Sequence, residues 1–153
     1  MLSGSTPTSA ATPEQLLERF VKGSPRQRRP LIKTVEARAS DLVALGSAVI
    51  EPFKSSGCDW AAGWILQVLN RHDPNHVKTL IAPYGQGWLQ VESSVGIDYS
   101  ELQALLLNED FEEADRRTSA ILRDLAGPAA VRRGYVYFSE VPPMPGIDLV
   151  SLD

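Results

Sequence analysis

The stretch Gly96–Val141, GIDYSELQALLLNEDFEEADRRTSAILRDLAGPAAVRRGYVYFSEV, decides the fold. It opens with Asp98-Tyr-Ser-Glu101 and repeats the device at Asp110-Phe-Glu-Glu113. Each reads as a capping box, in which the Asp accepts from backbone N–H groups at a helix start and the Glu reaches back three residues. Leu102, Leu105 and Leu106 give the first helix one apolar face. Phe111, Ala114, Thr118, Ile121, Leu122 and Leu125 form a stripe at helical spacing on the second. Glu112 with Arg116 and Glu113 with Arg117 are i,i+4 pairs in the favourable order, each worth about 0.2–0.5 kcal/mol. Gly127-Pro128 stops the second helix, because glycine accepts a left-handed C′ conformation and proline cannot continue the ladder. These signals predict an antiparallel helical hairpin and an all-α fold class.

The segments upstream repeat the pattern. Residues 1–11 are Ser/Thr-rich and read as a disordered tail. Thr12-Pro-Glu-Gln15 is an N-cap, an N1 proline and a capping box, opening a helix with Leu16, Leu17, Phe20 and Val21 inside. Ser24-Pro25-Arg26-Gln27 repeats the start signal, with Pro30 as an alternative beginning and Leu31, Ile32, Val35 and Ala39 inside. Ser40 or Asp41 caps the next helix, built on Leu42, Leu45, Val49 and Ile50 and closed by Glu51-Pro52. Residues 54–58 are a loop. From Asp59 to Arg71 a strongly apolar helix carries Trp60, Trp64, Leu66, Val68 and Leu69, too many for one stripe, so two faces are buried. Asp73-Pro74 starts a short helix with Val77, Leu80 and Ile81; Pro83–Gly87 is a turn, and Trp88–Val91 reads as extended. The expected organisation is a tail at 1–11, an amino-terminal helical bundle at 12–82, a linker at 83–95 and a second helical unit at 96–153. No fixed-period repeat is present.

Composition sets the class. The chain is 43% hydrophobic and 22% charged over 153 residues, within the range of a globular protein that buries a core. A net charge of -4 argues against bulk nucleic-acid binding. Cys58 is the lone cysteine, so no intrachain disulfide forms. No apolar run approaches the ~20 residues of a membrane span. There is no P-loop and no Gly-rich dinucleotide fingerprint. His72 and His76 have a metal-pair spacing, but Asp73-Pro74 breaks the helix between them, so no metal site is expected. Arg26, Arg28, Arg29, Lys33 and Arg38 form the most basic cluster, read as a solvated helix face or a contact for an anionic partner. Val131-Arg-Arg-Gly-Tyr-Val-Tyr-Phe138 alone reads as an aromatic core segment with two surface arginines.

Word by word, the stretch resembles the start of the Genomes Uncoupled Four core domain. The resemblance is carried by Gly96-Ile-Asp-Tyr99, Phe111-Glu-Glu-Ala-Asp115 with Arg117-Thr118, Leu125-Ala-Gly127, Ala130-Val-Arg-Arg-Gly-Tyr-Val-Tyr-Phe-Ser-Glu-Val141 and Ile147-Asp-Leu149. It implies an amino-terminal bundle followed by the first part of an α-helical tetrapyrrole-binding core, an incomplete one, since the family's core continues for a comparable length again. It also implies a protein that is not an enzyme. Members bind protoporphyrin IX and magnesium-protoporphyrin IX and assist magnesium chelatase in chlorophyll synthesis, with that enzyme's large porphyrin-binding subunit as partner. A porphyrin asks for a broad apolar surface with cations at the rim. The resemblance places that surface at Phe138 and Val131, the aromatic chemistry of the run adds Tyr135 for stacking, and electrostatics adds Arg132 and Arg133 for the propionates. No covalently bound cofactor is expected. The setting implied is the cytoplasm of a photosynthetic bacterium, at most peripheral to the thylakoid membrane, or else a plastid stroma. The rival reading is a helical protein-interaction scaffold without pigment.

Overall fold

The computed structural model describes residues 10–53, 60–85 and 87–153, and every regular element among them is helical. Two compact units divide after Phe53. The 54–58 loop, Cys58 and Asp59 lie outside the described residues.

In the first unit, α1 (Pro13–Lys22) and α2 (Pro25–Arg28) begin with complete capping boxes. Thr12 N donates to Gln15 Oε1 at 3.0 Å while Gln15 N donates back to Thr12 Oγ1 at 3.2 Å. Ser24 and Gln27 repeat the exchange at 2.8 and 3.4 Å. Pro30 falls in a 3-10 turn, and α3 (Ile32–Ala37) starts just after it. The cap expected at Ser40 or Asp41 does not form. Arg38, with φ -109°, precedes α4 (Ala39–Val43), so both candidates lie inside the helix. Asp41 instead accepts from Arg38 Nε at 2.8 Å. Leu16, Leu17, Phe20, Val35, Ala39, Leu42, Val49 and Ile50 are buried, as their spacing requires.

The second unit starts with α5 (Trp60–His72) and α6 (Pro74–Ile81). Asp73 is the N-cap of α6, accepting from His76 N at 3.0 Å. The buried residues of α5 are Ala61, Ala62, Ile65, Leu66, Val68 and Leu69, whereas Trp60 is half exposed. The stretch 83–95 lies within this unit: Trp88 is buried, and no strand forms at 88–91.

The hairpin comprises α7 (Ser100–Leu107) and α8 (Phe111–Ala126). Its turn passes through Glu109 at φ 58°, a left-handed residue that lets the chain reverse in three positions. An ion pair from Arg117 to Glu101, 2.9 Å, crosses between the helices and replaces the expected Glu113–Arg117 pair. Arg116 takes both Glu112 and Glu113. The box at Asp98 is absent: its carboxylate accepts from Ser100 N at 2.9 Å, and Glu101 is committed to Arg117. Asp110 caps α8 through Glu113 N at 3.4 Å, which is half of a box. Tyr99, Leu102, Ala114 and Ile121 form the hairpin core, with Ile97, Leu105, Leu125 and Leu152 packed on it.

α8 stops at Gly127 as expected, with φ 104° in the positive range that favours glycine but with an extended ψ of 177°, and Pro128 opens α9 (Pro128–Arg133) directly. The left-handed cap belongs to Gly134, φ 88°, whose N–H donates to Ala130 O at 2.8 Å. After Met144, buried in the Pro-rich loop, α10 (Gly146–Leu152) closes the described chain.

Candidate functional site

Two surfaces of the second unit have the chemistry of a binding site. The first follows α9. Arg133 leaves the end of that helix under the rings of Tyr135 and Tyr137, its guanidinium carbon 4.9 and 3.9 Å from their centroids. The two rings meet edge to face at 5.4 Å. Glu140 accepts from Arg133 Nη2 at 2.6 Å and from Tyr137 N at 2.7 Å. Those bonds, to the Tyr137 backbone and to Arg133, hold the Glu140 carboxyl below its ordinary range. Arg133 is therefore an internal strut, and its charge is already matched. Arg132 is exposed at the same helix end. Val131 and Tyr135 are about half exposed, and Phe138 is 90% exposed. Of the five residues singled out in the sequence, the structure joins Arg133 and Tyr135 in one cluster; Val131, Arg132 and Phe138 stand open to solvent.

The second surface is a cavity of about 760 Å³ between α5, α6 and α7. Trp60 and Trp64 line it from successive turns of α5, their rings 6.5 Å apart and near perpendicular. Trp88 closes another wall. The frame is held by side-chain amides on main chain. Gln67 Nε2 donates to Leu106 O at 2.7 Å, which also accepts from Glu109 N at 3.1 Å, and Asn70 Nδ2 donates at 3.2 Å to Leu107 O, at the end of α7. Gln103 brackets Leu89, accepting from its N–H at 3.2 Å and donating to its carbonyl at 2.8 Å. The sequence places Trp60 and Trp64 on a helix with two buried faces and Trp88 in an extended stretch. The i,i+4 spacing of the first two on one face was visible, but the space in front of that face depends on where α7 packs.

The hairpin is locked by a residue that local pattern does not reveal. Asp148 is fully buried and accepts from Tyr99 Oη at 2.9 Å, Ser94 Oγ at 2.9 Å and Ser94 N at 3.1 Å. Burial pushes its pKa up, yet the hydrogen bonds from Ser93, Tyr99 and Ser94 outweigh it and the carboxyl lies below its usual value. Burial first, then the bond and charge of Asp148, raise the Tyr99 phenol.

Other candidates resolve into structure. Arg28 is buried, with Nε and Nη2 each 2.8 Å from a carbonyl, Phe20 O and Val21 O, at the end of α1. Arg38 bonds Asp41 and Ala11 O. The basic cluster thus keeps Arg26, Arg29 and Lys33 on the surface. His72 ends α5 while His76 sits in α6 beyond the break. Among the described residues no group of His, Cys, Asp or Glu side chains is placed to hold a metal ion.

Residues 92–153 match the family model described as GUN4-like. The chain is 38% identical over 94 residues to a Ycf53-like protein of Synechocystis, covering 61% of this chain and 40% of that relative. It is 42% identical over 55 residues to the chloroplastic tetrapyrrole-binding protein of Arabidopsis thaliana, covering 36% of this chain and 21% of that one. An uncharacterized ycf53 protein of Pyropia yezoensis is 31% identical over 87 residues, with 57% and 37% covered. The chain spans less than half the length of each of these relatives.

Proposed function

Residues 92–153 belong to the GUN4-like family, and from that premise we propose that this chain binds a tetrapyrrole on the face that follows α9. The observation that carries the reading is Phe138, a full aromatic side chain left 90% exposed within three residues of two half-exposed tyrosines. Large apolar groups concentrated on a surface mark a place where something apolar docks. A macrocycle lying on Phe138 and Val131 buries its flat body there, and Arg132 meets a propionate. Arg133 shapes the surface by holding Tyr135 and Tyr137 and does not itself bind the ligand. The name of the Arabidopsis relative supports the ligand class.

The finer reading is protoporphyrin IX or magnesium-protoporphyrin IX as ligand, with the large porphyrin-binding subunit of magnesium chelatase as partner. The chain holds or delivers pigment and stimulates that enzyme in chlorophyll synthesis, performing no catalysis. Relatives in a cyanobacterium and a chloroplast support a photosynthetic setting, bacterial cytoplasm or plastid stroma. Among the described residues no helix is long and apolar enough to cross a membrane. The segment 96–153 is, in this proposal, the first part of the core domain.

The test is a visible-absorption titration of deuteroporphyrin, a soluble porphyrin dicarboxylate. The chain gives a saturable Soret shift, which Phe138→Ala weakens at least about tenfold, the loss expected for removing a buried aromatic contact. Arg132→Ala weakens it by a smaller factor. A folded chain without a saturable shift, or an undiminished shift in Phe138→Ala, overturns the reading.

A further inference from the structure

We propose that the indole-lined cavity between α5, α6 and α7 is a second binding site, for a planar apolar carboxylate. The chain has three tryptophans, and all three line this one cavity. Trp60, about half exposed, and Trp64 present ring surface to it while the buried Trp88 backs the wall, and flat indole is the contact that a rigid aromatic body requires. Its volume, about 760 Å³, falls in the ~300–1,000 Å³ range of small-molecule sites.

Gly63 lies on the same wall as Trp60 and Trp64, inside α5. A mid-helix glycine weakens a helix relative to alanine. Packing among the described residues does not demand it, because a Cβ built there meets none of their atoms within 4 Å. The chain forgoes helix stability at a position that keeps the space open.

Charge selects the ligand's sign. Lys78 lines the cavity, and among the described residues no acidic one does, in a protein whose net charge is -4. Lys78 makes no ion pair among the described residues. The amides of Gln67, Asn70 and Gln103 are bonded to main-chain groups. The lining that remains is indole and aliphatic surface, the uncharged Asn75, Ser100 and Asn108, and one cation, which fits an apolar body bearing a carboxylate. This site stands apart from the tetrapyrrole reading, since no residue of 131–138 lines it.

The experiment follows indole emission while 1-pyrenebutyrate is titrated into the full chain. Saturable quenching is expected. Gly63→Leu places a side chain in the open space and weakens binding about tenfold with far-UV helicity unchanged. Should that variant lose helicity, Ala104→Leu fills the opposite wall and is read instead. Lys78→Gln weakens binding roughly threefold and abolishes the preference over neutral 1-pyrenebutanol. Phe138→Ala leaves the titration unchanged, so failure here and failure of the porphyrin titration are separate results. Non-saturable quenching, equal quenching in the folded filled variant, or equal binding of the alcohol overturns the proposal.

Discussion

Asp148 is the residue on which the second unit's stability turns. Removing its carboxylate in Asp148→Ala strands the Tyr99 hydroxyl and the Ser94 donors. The expected loss is about 2–4 kcal/mol in urea unfolding, followed by indole emission. Tyr99→Phe, which deletes one bond to a charged group, costs about 1.5 kcal/mol. The same node predicts a pH dependence. The folded carboxyl lies below its ordinary value, so the unfolded chain takes up the proton first as pH falls. The stabilisation is complete above the unfolded value of about 3.9 and is lost as pH drops through the folded one. The wild-type urea midpoint should hold between about pH 5 and 7 and fall below about pH 4; Asp148→Asn, weaker at pH 7, should lack that part of the fall. In the sequence, Ile147-Asp-Leu149 looks like an ordinary helix start. Its partners lie 49 and 54 residues away, so no local pattern could name them.

Helix starts separate local from non-local causes. The boxes at Thr12 and Ser24 formed as read, because cap and reciprocating glutamine are three residues apart and nothing else claims them. At Asp98 the same spacing failed. Tyr99 is drawn into the core toward Asp148, and Arg117 takes Glu101 from across the hairpin. Asp110→Ala, which deletes a working cap, should cost about 1 kcal/mol in thermal unfolding. The other end of α7 is finished by α5, so Asn70→Ala should cost about 1–2 kcal/mol although Asn70 belongs to another helix. Gly87 shows backbone constraint between elements. It sits at φ 117°, and a Cβ there would fall 2.5 Å from Gln103 Oε1. Gly87→Ala is therefore expected to lower stability by about 1–3 kcal/mol and to loosen the Gln103–Leu89 bracket. Amide exchange at Leu89 measures that directly.

For the molecule as a whole, the aromatic face and the indole cavity share no residue, and their ligands should not compete through direct contact. Gly63→Leu should leave the porphyrin Soret shift intact, as Phe138→Ala leaves pyrenebutyrate binding intact. Phe138→Ala should also change thermal stability by less than about 0.5 kcal/mol, because a side chain 90% exposed contributes little to packing. Measuring both quantities on one variant separates a binding role from a folding role.

The sequence by itself determined the helical class, the start signals of α1, α2 and α6, and the inner part of the hairpin stripes, Leu102, Leu105, Ala114, Ile121 and Leu125, whereas Leu106 and Phe111 of those stripes are exposed. All of these follow from interactions within a few residues, which periodicity and capping chemistry encode directly. It also marked Val131, Tyr135 and Phe138 as a chemically suited run without showing their exposure. Only tertiary structure decided that Arg133 is spent on Tyr137 and Glu140, that Asp148 is buried, and that three tryptophans border open space. Each of those outcomes depends on which distant group fills the solvent side of a residue. A one-dimensional pattern states that a side chain is apolar or charged; packing decides whether water, a ring or a carboxylate meets it.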